Sequence, residues 1–141
     1  WSRLVGSEMC IRDSIGIAVK DIHSSLKIFD QLLDSRSYKT EEVPSEGVKT
    51  HFYQLGETKI ELLEAINENG PIRKFLSKYG QGMHHLALHV DDIHKELGRL
   101  KTLGFETIGD VKKGADQKLI CFLHPKTTSG VLIELCQEEV E

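Results

Sequence analysis

The chain has 141 residues, 39% hydrophobic and 28% charged, and its 18 Lys and Arg against 22 Asp and Glu leave a formal net charge of −4. That size suits one compact domain or two tightly joined half-size modules, and the acidic balance excludes the basic face of a nucleic-acid binder. No run approaches the roughly 20 apolar residues that span a bilayer, so no membrane partner is expected.

Residues 1–14 carry no helical or alternating apolar period, and the run from Leu4 to Ser14 resembles translated adapter sequence. We read this segment as foreign or disordered and set it aside from the fold. If the splice is artificial, Ser14 is its last foreign residue. The three cysteines, Cys10, Cys121 and Cys136, form no CxxC. Neither a disulfide framework nor a zinc knuckle follows, and the expected address is cytoplasmic.

Beyond Ser14 the chain says one thing twice. Ser14-Ile-Gly-Ile-Ala-Val-Lys-Asp-Ile22 recurs as His85-Leu-Ala-Leu-His-Val-Asp-Asp-Ile93, a shift of 71 positions from 14 to 85. In the first module, residues 15–66, Ile15, Ile17 and Val19 alternate with Gly16 and Ala18, the pattern of a strand with one apolar face. Asp21 is a good N-cap for a helix whose apolar stripe is Ile22, Leu26, Phe29, Leu32 and Leu33. Strands follow near 38–43, 48–55 and 58–64, with Gly56-Glu57 as a tight hairpin between the last two. Residues 67–82 form a linker, with a turn at Asn69-Gly70-Pro71, a short helix over 72–79, and breaks at Gly80 and Gly82. The second module, residues 83–138, repeats the order. It has a strand over 84–90, a helix capped by Asp91 or Asp92, a left-handed end at Gly104, and strands near 105–111, 118–123 and 130–137. The fold class is α+β, two tandem βαβββ modules forming a curved mixed sheet around a metal cleft.

Alternation sorts the chemistry. Leu86, Leu88 and Val90 face the helix, which leaves His85, Ala87 and His89 opposite, while Glu61 and Glu134 oppose Ile60, Leu62, Ile133 and Leu135. An acid inside an apolar strand is costly to bury unless a partner or a cation meets it. Glu61, His85 and Glu134 therefore form a candidate metal set, with oxygen and imidazole donors that suit Co, Ni, Mn, Fe or Zn. Taken singly, each has a plainer role: a hydrogen-bonded structural histidine, or an edge-strand acid facing water. His23 and His94 fall in first helical turns and read as surface. His84 falls on the helix-facing side, and the facing of His51 stays open.

The repeat, the Gly82-Met-His-His-Leu-Ala-Leu88 run, Phe122-Leu-His-Pro-Lys126 and Gly130-Val-Leu-Ile-Glu-Leu135 together resemble the methylmalonyl-CoA epimerase family of the vicinal oxygen chelate superfamily. The resemblance covers about residues 15–137. It implies epimerisation of (R)- and (S)-methylmalonyl-CoA through a metal-stabilised enolate, with a divalent metal ion, an acyl-CoA substrate and a homodimer. It places metal ligands at Glu61, His85 and Glu134, and at position 14, where the family has histidine and this chain has Ser14. It implies Glu46 as the catalytic base, although Pro44-Ser-Glu46-Gly-Val48 carries its acid one place later than the family pattern. Lys126, in the His-Pro-Lys run, is the expected CoA contact, and Asp116-Gln-Lys118 replaces a glycine-rich stretch common in the family. Two other readings remain: a different superfamily enzyme, such as a glyoxalase-type lyase or a dioxygenase, and a metal-free small-molecule binding protein, which Ser14 favours.

Overall fold

The computed structural model describes residues 10–139, with side chains from 14. The chain divides into two compact units, one over Ser14–His84 and one that includes everything from His85 on. Strand β1 runs Cys10–Ala18, followed by α1 (Ile22–Leu33), β2 (Lys39–Val43), β3 (Val48–Leu55) and β4 (Thr58–Ala65). In the first unit β1 pairs parallel with β4, and β3 is antiparallel to both β4 and β2. The strand backbone is continuous from Cys10 through Ser14, across the boundary expected after residue 14. The expected foreign or disordered stretch over residues 1–9 lies outside the described residues.

Helix α1 forms where the apolar stripe predicts it. Asp21 caps it by accepting the His23 N–H at 3.1 Å, and Asp34 ends it in a left-handed conformation at φ 49°. Its inner face, Ile22, Leu26, Phe29 and Leu33, packs on Ile17, Val19, Tyr53, Ile60 and Leu62. The Tyr53 hydroxyl donates to Asp30 at 2.6 Å, tying β3 to the helix. Leu32 is exposed, so the stripe is narrower than the sequence predicts.

Helix α2 (Pro71–Tyr79) uses the other sheet face, where Ile72 and Leu76 cover Ala18 and Leu63. This is the short helix foreseen in the linker, with Pro71 at its first turn and Gly80 at φ 78° just past its end.

The second unit repeats the topology with β5 (Gly82–His89), α3 (Ile93–Thr102), β6 (Thr107–Lys113), β7 (Lys118–Leu123) and β8 (Ile133–Glu138). Strand β5 pairs parallel with β8, which runs antiparallel to β7, which in turn runs antiparallel to β6. Of the two candidate caps, Asp92 takes the position and accepts the Lys95 N–H at 3.1 Å. Ile93, Leu97 and Leu100 pack on Val90, Cys121, Leu123 and Leu135.

Strand starts shift from the sequence expectation, and Gly82, expected to break the chain, instead opens β5 two residues early. Phe105 closes the end of α3, its N–H bonded to the Leu100 carbonyl and its ring against the α3 cluster, so β6 begins later, at Thr107. Gly130 and Val131 close a turn on Pro125 and Thr128, so β8 begins at Ile133. Single 3-10 turns at Pro44–Glu46, Ala115–Gln117 and Pro125–Thr127 were not foreseen.

Candidate active site

In each unit the acid stands in the same frame. On β4, Glu61 is flanked by Gly16 of β1 and Phe52 of β3. On β8, Glu134 is flanked by Ala87 of β5 and Phe122 of β7. The residue two places before the small neighbour is Ser14 in one unit and His85 in the other. All of these lie on the face turned away from α1 and α3, because the intervening residues Leu62 and Leu135 belong to the helix-facing clusters.

The second unit carries the more complete version. His85 Nε2 lies 3.2 Å from Glu134 Oε1, and both residues are buried. Phe122 stacks edge-on against the imidazole, with ring centroids 5.9 Å apart, and fixes the ring plane. Ala87, Ile120 and Cys136 complete an apolar floor. In the first unit Ser14 is buried and Glu61 is half-buried. Phe52 is fully buried, with the Lys39 and Lys59 ammonium groups 5.3 and 5.9 Å from its ring centre.

In the sequence Phe52 has no assigned role and Phe122 only a place in the Phe122-Leu-His-Pro-Lys126 run. Their signal was available, since Phe52 and Phe122 sit at matching places in the repeat. Both looked like ordinary strand core, and only the pairing register sets each against an acid.

The remaining candidates are placed as follows. Glu46 is half-buried at the end of the 3-10 turn between β2 and β3, immediately before Gly47 at φ 65°. Lys126 is exposed, its Nζ 3.2 Å from Glu106. The turn beneath it is held by His124, whose Nδ1 accepts the Lys126 N–H at 3.2 Å. His51 shares the α1-facing side with Leu62, its register partner, and its Nε2 lies 3.2 Å from Glu64 Oε1. It belongs to the packed side of its sheet, not to the site face. His84 lies edge-on against Phe75 of α2, at 4.9 Å. His23 and His94 are exposed, as expected.

Among the described residues, no group of three or more His, Cys, Asp or Glu side chains is arranged to hold a metal ion. His85 and Glu134 supply one imidazole and one carboxylate at mutual contact, two donors of the right kind. No helix among the described residues is long and apolar enough to cross a membrane.

Residues 13–122 match the model of the Glyoxalase/Bleomycin resistance protein/Dioxygenase superfamily, and the chain belongs to it. The ethylmalonyl-CoA/methylmalonyl-CoA epimerase of Cereibacter sphaeroides is 37% identical over 126 residues, 87% of this chain and 94% of that protein. The crystal structure of methylmalonyl-CoA epimerase from Mycobacterium tuberculosis superposes with a TM-score of 0.90 at 28% identity, covering 96% of this chain and 93% of that one. A Streptomyces coelicolor methylmalonyl-CoA epimerase variant in complex with 2-nitronate-propionyl-CoA gives a TM-score of 0.83 at 27% identity, covering 91% and 96%. Within the superfamily the chain is a member of the methylmalonyl-CoA epimerase family, and so an isomerase of the epimerase type.

Proposed function

We propose that this protein interconverts the (R) and (S) epimers of methylmalonyl-CoA by moving the proton on the carbon between thioester and carboxylate. The observation that carries the reading is the matched acid frame, Gly16–Glu61–Phe52 and Ala87–Glu134–Phe122, in a chain related to enzymes of that name. The C–H bond is acidified by both carbonyl groups, yet the enolate formed on deprotonation still needs positive charge or hydrogen-bond donors near its oxygens.

Glu46 takes the proton in this proposal. A carboxylate beside the substrate acts as general base on one face, and inversion requires a donor on the other. The His85 imidazole, held by Glu134 and Phe122, orients a donor or a ligand nitrogen without freedom to swing.

A divalent ion belongs to the same reading, held by Glu61, His85 and Glu134 and left one donor short by Ser14. When bound it supplies Lewis-acid stabilisation of the developing negative charge. Lys126 meets a phosphate of CoA, since its ammonium is exposed and only lightly engaged by Glu106. A cytoplasmic homodimer completes the proposal, supported by the family resemblance. Burial of Ser14 where the repeat carries His85 favours a second reading, a metal-free binding protein for a related acyl-CoA.

The test is conversion of one methylmalonyl-CoA epimer in D2O, with and without added Co(II) or Mn(II). Epimerisation with deuterium incorporation at the α-carbon supports the enzyme. Tight binding without exchange under every metal condition supports the second reading and overturns the first.

A further inference from the structure

The turn bearing Glu46 packs against a side chain that has no place in the chemistry itself. Asn67 lies just beyond β4, and its Oδ1 accepts the Gly70 N–H at 2.7 Å and the Asn69 N–H at 3.3 Å, while its carbonyl accepts the Arg73 Nε–H at 3.2 Å. The amide group fills the hollow between two glycines. A β-carbon on Gly47 would come within 2.5 Å of Asn67 Nδ2, and one on Gly70 within 2.8 Å of Asn67 Oδ1.

The same hollow includes the base's own backbone, since a β-carbon on Gly70 would stand 3.1 Å from the Glu46 carbonyl oxygen. Gly47 is fixed from both sides. Its N–H donates to the Pro44 carbonyl and its carbonyl accepts the Ile66 N–H, each at 3.1 Å. Its φ of 65° keeps it in the left-handed region, where glycine is favoured. Asn67 therefore joins three segments, the Glu46 turn, the exit of β4 and the start of α2.

We propose that Asn67 is a positioning residue for Glu46, setting the height and direction of the turn from which the carboxylate reaches the substrate. This rests on Glu46 as the base of the epimerase reading. The backbone bonds of Gly47 to Pro44 and Ile66 fix the ends of the turn, the Asn67 amide fills its inner side, and a shift of about an ångström at Glu46 is expensive in proton transfer. The proposed CoA contact, Lys126, lies on a different turn, between β7 and β8.

The experiment compares wild type, Asn67→Ala, Asn67→Asp, Gly70→Ala, Glu46→Gln and the double variant Asn67→Ala/Glu46→Gln. The readouts are kcat and KM for methylmalonyl-CoA, α-proton exchange in D2O and thermal unfolding. Asn67→Ala is expected to lower kcat and exchange by roughly tenfold or more with KM little changed. Asn67→Asp keeps the acceptor for Gly70 and restores most of the rate. Gly70→Ala, at an ordinary φ of −76°, pushes on the same amide and on the Glu46 carbonyl from the far side, so it reproduces the loss even if Asn67→Ala does not fold.

In the Glu46→Gln background the Asn67→Ala change adds nothing, because the group it positions is gone. An equal fold-loss in that background, or full activity in both Asn67→Ala and Gly70→Ala, overturns the positioning role while leaving Glu46 as base. An inactive wild type, or a fully active Glu46→Gln, brings down the epimerase or base assignment and this proposal with it.

Discussion

A divalent metal should reverse the sign of the stability change caused by Ser14→His. Ser14 is 2% exposed and precedes Gly16 by two residues, as His85 precedes Ala87. An imidazole there is carried toward Glu61 as His85 is carried to within 3.2 Å of Glu134. In chelator, Ser14→His forces a ring into the space of a hydroxyl, and overpacking of this kind costs about 1–3 kcal/mol. For a chain of this length each kcal/mol moves Tm by roughly 2–4 °C, so the variant should unfold about 2–12 °C below wild type. Under the proposed ligand set, the variant with metal present offers four donors in place of three. A ligand at a thousand times its Kd stabilises by about 4 kcal/mol, more than the strain removes. Thermal unfolding in EDTA and in Co(II) or Mn(II), with calorimetric titration of each ion, reads both signs. Equal metal-induced shifts in wild type and Ser14→His would refute the assignment of position 14 to the ligand set.

The other predictions concern separate parts of the molecule. Burial, and then the Asp30 hydrogen bond and charge, push the Tyr53 hydroxyl above its ordinary range, and burial raises the Cys121 thiol. Both folded values lie above the unfolded ones, so their stabilisation is complete below the unfolded pKa values, about 8.5 for thiol and 10 for tyrosine, and is lost as pH rises through the folded ones. Urea midpoints should fall from about pH 8.5 upward, with Tyr53→Phe flattening the part above about pH 10; a flat profile would contradict both. Lys126→Ala removes an exposed ion pair worth at most about 1 kcal/mol, so Tm stays within a few degrees. Its KM for methylmalonyl-CoA should rise severalfold and lose salt dependence, and an unchanged KM across ionic strength would remove Lys126 from the CoA site. Leu135→Ala, at a fully buried position, should cost about 2–5 kcal/mol in a urea titration while folded protein remains active. Neighbouring Glu134→Gln keeps the shape and the side-chain approach to His85, and should abolish metal-induced stabilisation with an apo stability change under about 1 kcal/mol.

Much of this was legible because the two periods in the chain are unambiguous. The alternation around Leu86 and Leu88, and the helix stripe at Ile93, Leu97 and Leu100, depend only on which residues are apolar, and they set His85 and Glu134 on one face. Asp21 and Asp92 cap their helices through bonds that span two or three residues, so local sequence sufficed. What failed to show was non-local. His51 has the same alternation whichever face it takes, and only its register against Leu62 places it on the α1 side. The strand starts at Thr107 and Ile133 moved because Phe105 and Gly130 satisfy groups left open by a helix end and a turn, which no strand propensity records. Asp116 and Gln117 both take positive φ, at 60° and 54°, where the family's glycines would fit without strain. The substitution was visible in the sequence, and its backbone consequence was not.

The duplicated frame also explains how a chain can carry serine at position 14 and still fold. Along β4 and β8 successive side chains alternate between a helix-packed cluster and the site face, so Leu62 and Leu135 contribute cohesion while Glu61 and Glu134 contribute donors. The two demands fall on different residues of one strand. Loss of an imidazole from the site face removes no contact from Val19, Ile22, Tyr53 and Leu62, the buried cluster that anchors α1. The small neighbours follow the same logic. Gly16 and Ala87 hold the register places beside each acid, so neither acid has a large neighbour on that side. Cohesion and the candidate donors therefore draw on opposite faces of the same strands, and the two copies agree in register while differing at positions 14 and 85.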